Sequence, residues 1–320
     1  MAAARPRQPA TPDGDAFTIH RAVVRHGLVQ AFVDEGEGYP IVLLHGYPET
    51  KRIWWRNIAP LAAAGYEIVV PDLRGHGDSD VDADDRYDIV EYSRDIHELM
   101  TNHLGHERYG VVAGDVGAAV AYDLSLRFSG SVQRMVWFNT APPILPAEYQ
   151  AAGIDMSRAA FASADQRPET DYQHRQGNDP DALAAELDTP ERRRRYIADF
   201  YGHRLWASRG AFTAADIDFM TEPWADEARL RAGWAAYQLM TGVRVAAELP
   251  RLLETNPTPT LLLYGPDDQV VPNDFVECCE VAFTDRVGPL VVPRAGHFLQ
   301  WERADILNPL IANWFADLRH

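Results

Sequence analysis

Apolar and polar residues alternate along FTIHRAVV and LVQAFVDEG, between residues 17 and 36, and His26-Gly27 between the two runs supplies a turn. That pattern predicts a β-hairpin. IVLLHG, YEIVVPD and YGVVAGD are instead short, continuous apolar runs, the form of strands buried on both faces. Each leads into a segment able to form a helix, with apolar residues at helical spacing over residues 89–104. Strands alternating with helices predict a mostly parallel sheet covered on both faces. After VQRMVWFNTAPP the texture changes: residues 144–248 lack comparable strand runs, are rich in Ala, Asp, Arg, Trp and Tyr, and hold helical stretches over residues 181–187, 192–201 and 227–240. TLLLYG and PLVVPRAGH then restore the buried-strand form, and residues 306–318 read as a closing helix. The chain divides into a flexible tail over residues 1–16, a core over 17–143 and 249–320, and a helical insertion over 144–248.

Length and composition narrow the partners. With 320 residues, 46% of them hydrophobic, the chain can bury a large core. The net charge of −17 argues against nucleic acid, which needs a concentrated basic face. Only ERRRRY, residues 191–196, runs the other way, and it reads as a solvated helix face answering nearby acids. The two cysteines, Cys278 and Cys279, are adjacent and fit neither a disulfide framework nor a metal spacing, so a reducing, cytoplasmic setting is expected. No stretch reads as a signal peptide or a membrane span, which leaves no membrane partner but leaves room for a homodimer. Metal-ligand spacing, GxGxxG and a phosphate loop are all missing, so no cofactor and no metal are expected.

In an open parallel sheet, reactive groups collect at the carboxyl ends of strands. Four such ends here carry His45-Gly46-Tyr47-Pro48, Asp115, Asp268 and His297. Asp115 stands in the frame Ala113-Gly114-Asp115-Val116-Gly117, small residues flanking one that could occupy a strained strand-to-helix turn. Alone, it could instead be a helix N-cap after a strand. The other three ends weigh against that. Asp72 to Ser79, DLRGHGDS, reads as a structural turn with His76 a loop residue.

HGYPE, DLRGHGDSD, AGDVGAA, YGPDDQVVP and AGHFLQWE stand in the order and spacing of a known family. The sequence resembles the α/β-hydrolase superfamily, and within it the branch of epoxide hydrolases and haloalkane or haloacetate dehalogenases. The resemblance implies the α/β-hydrolase fold, with a helical cap inserted after the sixth strand. Carried over position by position, Asp115 resembles the nucleophile, Asp268 the acid and His297 the base. Asp267 competes with Asp268, and the spacing to Pro272 favours Asp268. The backbone N–H groups of Tyr47 and Val116 would form the oxyanion hole. Tyr237 and Tyr172 match the cap tyrosines that meet an epoxide oxygen, with His174 an alternative to Tyr172. Phe298 and Trp55 are candidates for lining a substrate pocket.

The chemistry is coherent with those roles. A carboxylate attacking a carbonyl yields a labile anhydride, whereas attack on a saturated carbon with a strained or good leaving group yields an ordinary ester. His297, oriented by Asp268, could then activate water against that ester. Departures from the branch are Gly114, where histidine is common, and Val116, where an indole that grips halide is common. No arginine adjoins Asp115 to read a haloacetate, and Asn139 stands where some relatives place the acid. The expected function is hydrolysis of an apolar epoxide to a vicinal diol. A haloalkane or haloacetate dehalogenase with the same triad is the alternative, and a hydrolase-like protein that only binds a small ligand is a third reading.

Overall fold

A computed structural model of the chain describes residues 8–155, 171–202, 206–269, 271 and 274–319. Among these, eight strands form one sheet: β1 His20–Val23, β2 Val29–Glu35, β3 Tyr39–Leu44, β4 Tyr66–Pro71, β5 Tyr109–Gly114, β6 Val132–Phe138, β7 Thr260–Tyr264 and β8 Arg286–Val291. Their order is β1-β2-β4-β3-β5-β6-β7-β8. The pairs β1–β2 and β2–β4 are antiparallel and the rest parallel, so the sheet is mostly parallel. The expected hairpin is β1–β2, turned through His26 (φ 59) and Gly27 (φ 75).

Continuous apolar strands serve two cores at once because successive side chains point to opposite faces. In β3, Ile41 and Leu43 pack with Ile58, Leu61, Leu307 and Ile311, while Val42 and Leu44 pack with Ile96, Val120, Leu124 and Cys279. Each such side chain, fully buried, contributes roughly 1.5–3 kcal/mol. Cys278 and Cys279 share the helix Phe275–Ala282, and both are buried free thiols. β8 departs from the expected doubly buried form. It is the sheet edge, and Val287, Leu290 and Val291 are 46%, 42% and 52% exposed.

Between β6 and β7 the described residues hold the helices Pro146–Ala151, Asp171–Asn178, Pro180–Glu186, Pro190–Gly202, Ala214–Thr221, Glu227–Gly233 and Ala235–Thr241. The helix expected over 227–240 is thus two, broken at Trp234, where Gly233 lies too close to the rings of Trp224 and Tyr47 to carry a Cβ. The arginine run answers its neighbours largely as expected, Arg192 to Asp188 and Arg194 to Asp218, but Arg193 turns inward to the carbonyls of Leu187 and Ala225.

The expected tail needs correction over its second half. Gln8 Nε2 donates to the Glu302 carbonyl and to Asp305, each at 2.6 Å, and the Asp13 carbonyl accepts the Trp55 indole N–H at 3.2 Å, so this stretch is held against the core. Residues 1–7 of that tail lie outside the described residues, as do residues 156–170 of the expected insertion and Pro272. Among the described residues no helix is long and apolar enough to cross a membrane.

Candidate active site

β5 ends at Gly114 and the helix Asp115–Arg127 starts at the next residue, which leaves Asp115 in the left-handed region at φ 48. Close approaches explain the small frame around it. A Cβ on Gly117 would collide with the carbonyls of Leu44 and His45, one on Gly46 with the Asp115 carboxylate, and one on Gly114 with the Phe138 ring. Phe138 therefore fills the space that a larger residue at position 114 would need. Oδ1 of Asp115 accepts the Tyr47 N–H at 2.7 Å. The Val116 N–H lies in the first turn of the helix, where backbone donors have no intrahelical acceptor.

The loop that supplies the Tyr47 amide is rigidly tied. His45 Nδ1 contacts the Gly46 carbonyl at 2.9 Å, and its Nε2 accepts the Leu73 N–H at 3.0 Å, which fixes a neutral tautomer with the proton on Nδ1. Burial pushes the His45 pKa down, against the pull of Asp72. Asp72 accepts the backbone N–H groups of Lys51 and Asp78 and the Lys51 ammonium, so DLRGHGDS is the structural turn it was expected to be.

His297 Nδ1 meets Asp268 Oδ2 at 2.8 Å. Asp267 instead accepts the Ser208 hydroxyl at 2.8 Å and is exposed, so of the two aspartates the loop delivers Asp268 to the histidine. His297 Nε2 stands 3.3 Å from Asp115 Oδ2, close enough for charge attraction but without a well-directed hydrogen bond. Burial opposes charge on the ring, yet the carboxylates of Asp268 and Asp115 overcome it and hold the His297 pKa well above its ordinary value.

Several residues that support this arrangement were not singled out in the sequence. Glu302, buried, accepts the N–H groups of Gly296 (2.8 Å), Ser208 (2.9 Å) and Phe298 (3.1 Å) and so shapes the histidine loop. The Trp206 carbonyl accepts the His297 N–H at 2.5 Å, and its indole meets the imidazole edge-on at 5.2 Å. Glu49, buried in HGYPE, accepts the Gly46 N–H and the Gln300 amide, each at 2.7 Å. Burial and the Asp115 charge push its carboxyl up to about 7. The PE of that motif was the available signal for Glu49.

A cavity of about 570 Å³ opens over Asp115, and Val116, Tyr172, Tyr237 and His297 all line it. The two tyrosine rings meet edge-on at 5.4 Å. Burial, with Asp115 among the further causes, pushes both phenols well above their ordinary pKa. His174 contacts Asn178 and does not line the cavity, so Tyr172 is the one of the pair that the fold delivers there.

Two expected pocket residues are corrected. Trp55 is buried away from the cavity, edge-on to Phe17 at 5.2 Å with its N–H spent on Asp13. Phe298 is buried, stacked on Tyr201 at 4.7 Å and edge-on to His297 at 5.3 Å, so it supports the ring and is not among the described residues that line the cavity. Among the described residues, no group of three or more His, Cys, Asp or Glu side chains is arranged to hold a metal ion.

The sheet order, the aspartate elbow and the histidine–aspartate pair now define a class, and the chain belongs to the alpha/beta hydrolase fold family, which residues 39–304 match. Among particular proteins, it is 35% identical over 133 residues to the soluble epoxide hydrolase of Corynebacterium sp. (strain C12), a match spanning 41% of this chain and 44% of that protein. It is 27% identical over 304 residues to haloalkane dehalogenase 2 of Mycobacterium bovis (strain ATCC BAA-935 / AF2122/97), covering 89% of this chain and 91% of the relative. The solved structure of the epoxide hydrolase CorEH without ligand superposes with a TM-score of 0.79 at 25% identity, covering 95% of this chain and all 100% of that one.

Proposed function

We propose that the protein is an epoxide hydrolase that opens an apolar epoxide through an ester on Asp115 and releases a vicinal diol. The observation that carries this reading is the meeting, in one cavity, of the Asp115 carboxylate, the His297 ring and the phenols of Tyr172 and Tyr237. Asp115 Oδ2 forms a bond to an epoxide carbon, the carbon–oxygen bond of the ring breaks, and the departing oxygen takes a proton from a phenol. The raised pKa of both phenols keeps them as O–H donors until that moment.

Ester formation removes the Asp115 charge, which is one of the two carboxylates holding the proton on His297. The ring gives that proton up more readily in the ester than in the free enzyme, and the phenolate left by the first step takes it back through solvent. It can then take a proton from water as the water oxygen attacks the Asp115 carboxyl carbon. Charge developing on Oδ1 meets the Tyr47 N–H, already 2.7 Å away, and the Val116 N–H. The tetrahedral species collapses with cleavage of the Cγ–Oδ2 bond, the departing Oδ2 takes the proton held on His297, and the diol leaves with the former Asp115 oxygen.

The same aspartate could displace a halide, and the likeness to haloalkane dehalogenase 2 favours that second reading. The cavity supports the epoxide more. Among the described residues its only indole is Trp137, whose N–H is donated to the Ala118 carbonyl at 2.9 Å, and its only arginine, Arg244, is paired with Asp85. The wall carries Ile144, Met240, Val245, Leu249 and Leu253, which suits an apolar substrate.

A single turnover in heavy-oxygen water tests the reading: the first diol should carry protein oxygen, and solvent label in that diol would sink it. His297→Gln should trap the alkyl-enzyme, visible as added mass on the intact protein. Diol formation from styrene-type and alkyl epoxides, set against halide release from bromoalkanes and haloacetates, separates the two readings.

A further inference from the structure

We infer that Asn139 is a positioning residue for the ester-hydrolysis half of the reaction, holding the loops of Asp268 and His297 at a fixed separation from the Asp115 elbow. The inference rests on the epoxide hydrolase reading above. Asn139 follows β6 directly, is wholly buried, and adopts φ 44. Its backbone carbonyl accepts the Asp115 N–H at 3.2 Å. Its Oδ1 accepts the Gly265 N–H at 2.9 Å, three residues before Asp268. Its Nδ2 donates to the carbonyls of Gly296 at 2.6 Å and His297 at 3.0 Å.

One side chain thus joins loops that lie 126 and 158 residues further along the chain. Only an amide satisfies all three partners, because one end must accept from an N–H and the other must donate two hydrogens to carbonyls. A carboxylate at this position would set a bare oxygen against two carbonyl oxygens. Only when protonated could it donate to one of them.

The two half-reactions make unequal use of this clamp. Attack on the epoxide needs Asp115 and the phenols, which the clamp reaches only through one backbone carbonyl. Hydrolysis needs His297 Nε2 held one water's width from the Asp115 carboxyl carbon, and the clamp grips the His297 backbone directly. A misplacement of about 1 Å at such a site can slow the dependent step ~100-fold.

Asn139→Gly is the sharpest variant, since glycine keeps the positive φ without strain and keeps the backbone carbonyl while deleting the amide. Its kcat should fall ~100-fold and its KM should fall with it, while single-turnover ester formation stays within ~3-fold of the parent protein. The alkyl-enzyme should accumulate in the steady state as added mass on the intact protein. Asn139→Asp should show a kcat ratio to the parent that rises as pH is lowered, because the protonated carboxyl recovers one donated hydrogen bond.

The inference is overturned if folded Asn139→Gly keeps kcat within ~3-fold of the parent, or loses both half-reactions equally. Should Asn139→Gly fail to fold, a pH-independent ratio for Asn139→Asp overturns it in the same way. His297→Gln, run alongside, tells the two failures apart. Trapped ester in that variant with none in the Asn139 variants defeats the positioning role alone, whereas no trapped ester in His297→Gln defeats the base assignment and this inference with it.

Discussion

Asp115 holds a backbone conformation that costs a non-glycine residue of order 1–3 kcal/mol, and the glycines around it show what maintains that strain. Each is a point where the backbone meets another backbone, a ring or the Asp115 carboxylate itself, so the turn is over-determined by its surroundings. Asp115, His297 and Asp268 were legible in the sequence because each sits in a short motif whose small neighbours are needed locally. Trp55 and Phe298 were expected at the pocket, and His174 stood as an alternative to Tyr172, because a motif gives a side chain's position along the chain and not the direction it points. Asn139 was passed over as an acid that is missing, although its amide has work that an acid could not do. At this scale Tyr237→Phe should lower kcat ~100-fold, as loss of one preorganised donor does, without lowering the melting temperature by more than a few degrees. Steady-state kinetics beside a thermal melt checks it.

The strands were the most legible elements, since a doubly buried strand must be apolar throughout and few other local structures are. β8 is the exception: its apolar residues resemble those of β7, but only the sheet order reveals that β8 has a neighbour on one side. The helical stretches expected over 181–187 and 192–201 match helices to within a few residues and that over 227–240 is broken at Trp234, whereas the helices Pro146–Ala151, Asp171–Asn178 and Ala214–Thr221 were not singled out. The helix Ala214–Thr221 offers a separate check on local stability. Thr213 caps it by accepting the Asp216 N–H at 3.2 Å, and Asp216 answers the Thr213 N–H at 2.8 Å, a reciprocal capping box. Thr213→Ala should lower unfolding free energy by about 1 kcal/mol in urea melts, and kcat should not change, because Thr213 does not line the cavity.

For the whole molecule, buried histidines and the buried Glu49 carboxyl respond to acid in opposing senses. His45 and His76 face each other at 5.2 Å beneath the site. Burial lowers both, His76 to about 3, with His45 contributing to the shift of His76. The folded state keeps these rings neutral while the unfolded chain protonates them below about 6.5, so their stabilisation is present above that pH and is lost as pH falls through it. His297 acts in the opposite sense: its raised pKa stabilises the fold fully below about 6.5 and ceases to as pH rises through its folded value. Glu49 acts in the same sense as His297 over the window from about pH 6.5 to 5, because its carboxyl, pushed up to about 7, binds a proton in the fold that the unfolded chain does not, so unfolding free energy should fall further from pH 6.5 to 5 in Glu49→Gln than in the parent protein. Urea melts of both proteins at the two pH values check this, and an equal or smaller fall in Glu49→Gln would refute it. The sequence by itself determined the strand–helix alternation, the hydrolase frame and the residue types that could do chemistry at Asp115, Asp268 and His297. Those are local demands, met by burial period and close-packed turns. Only the tertiary structure decided that Trp55 and Phe298 lie off the cavity, that Tyr172 and not His174 faces it, and that Asn139 ties the three loops together. Each of those outcomes depends on where distant segments come to rest against one another, and residue order along one segment carries no record of that.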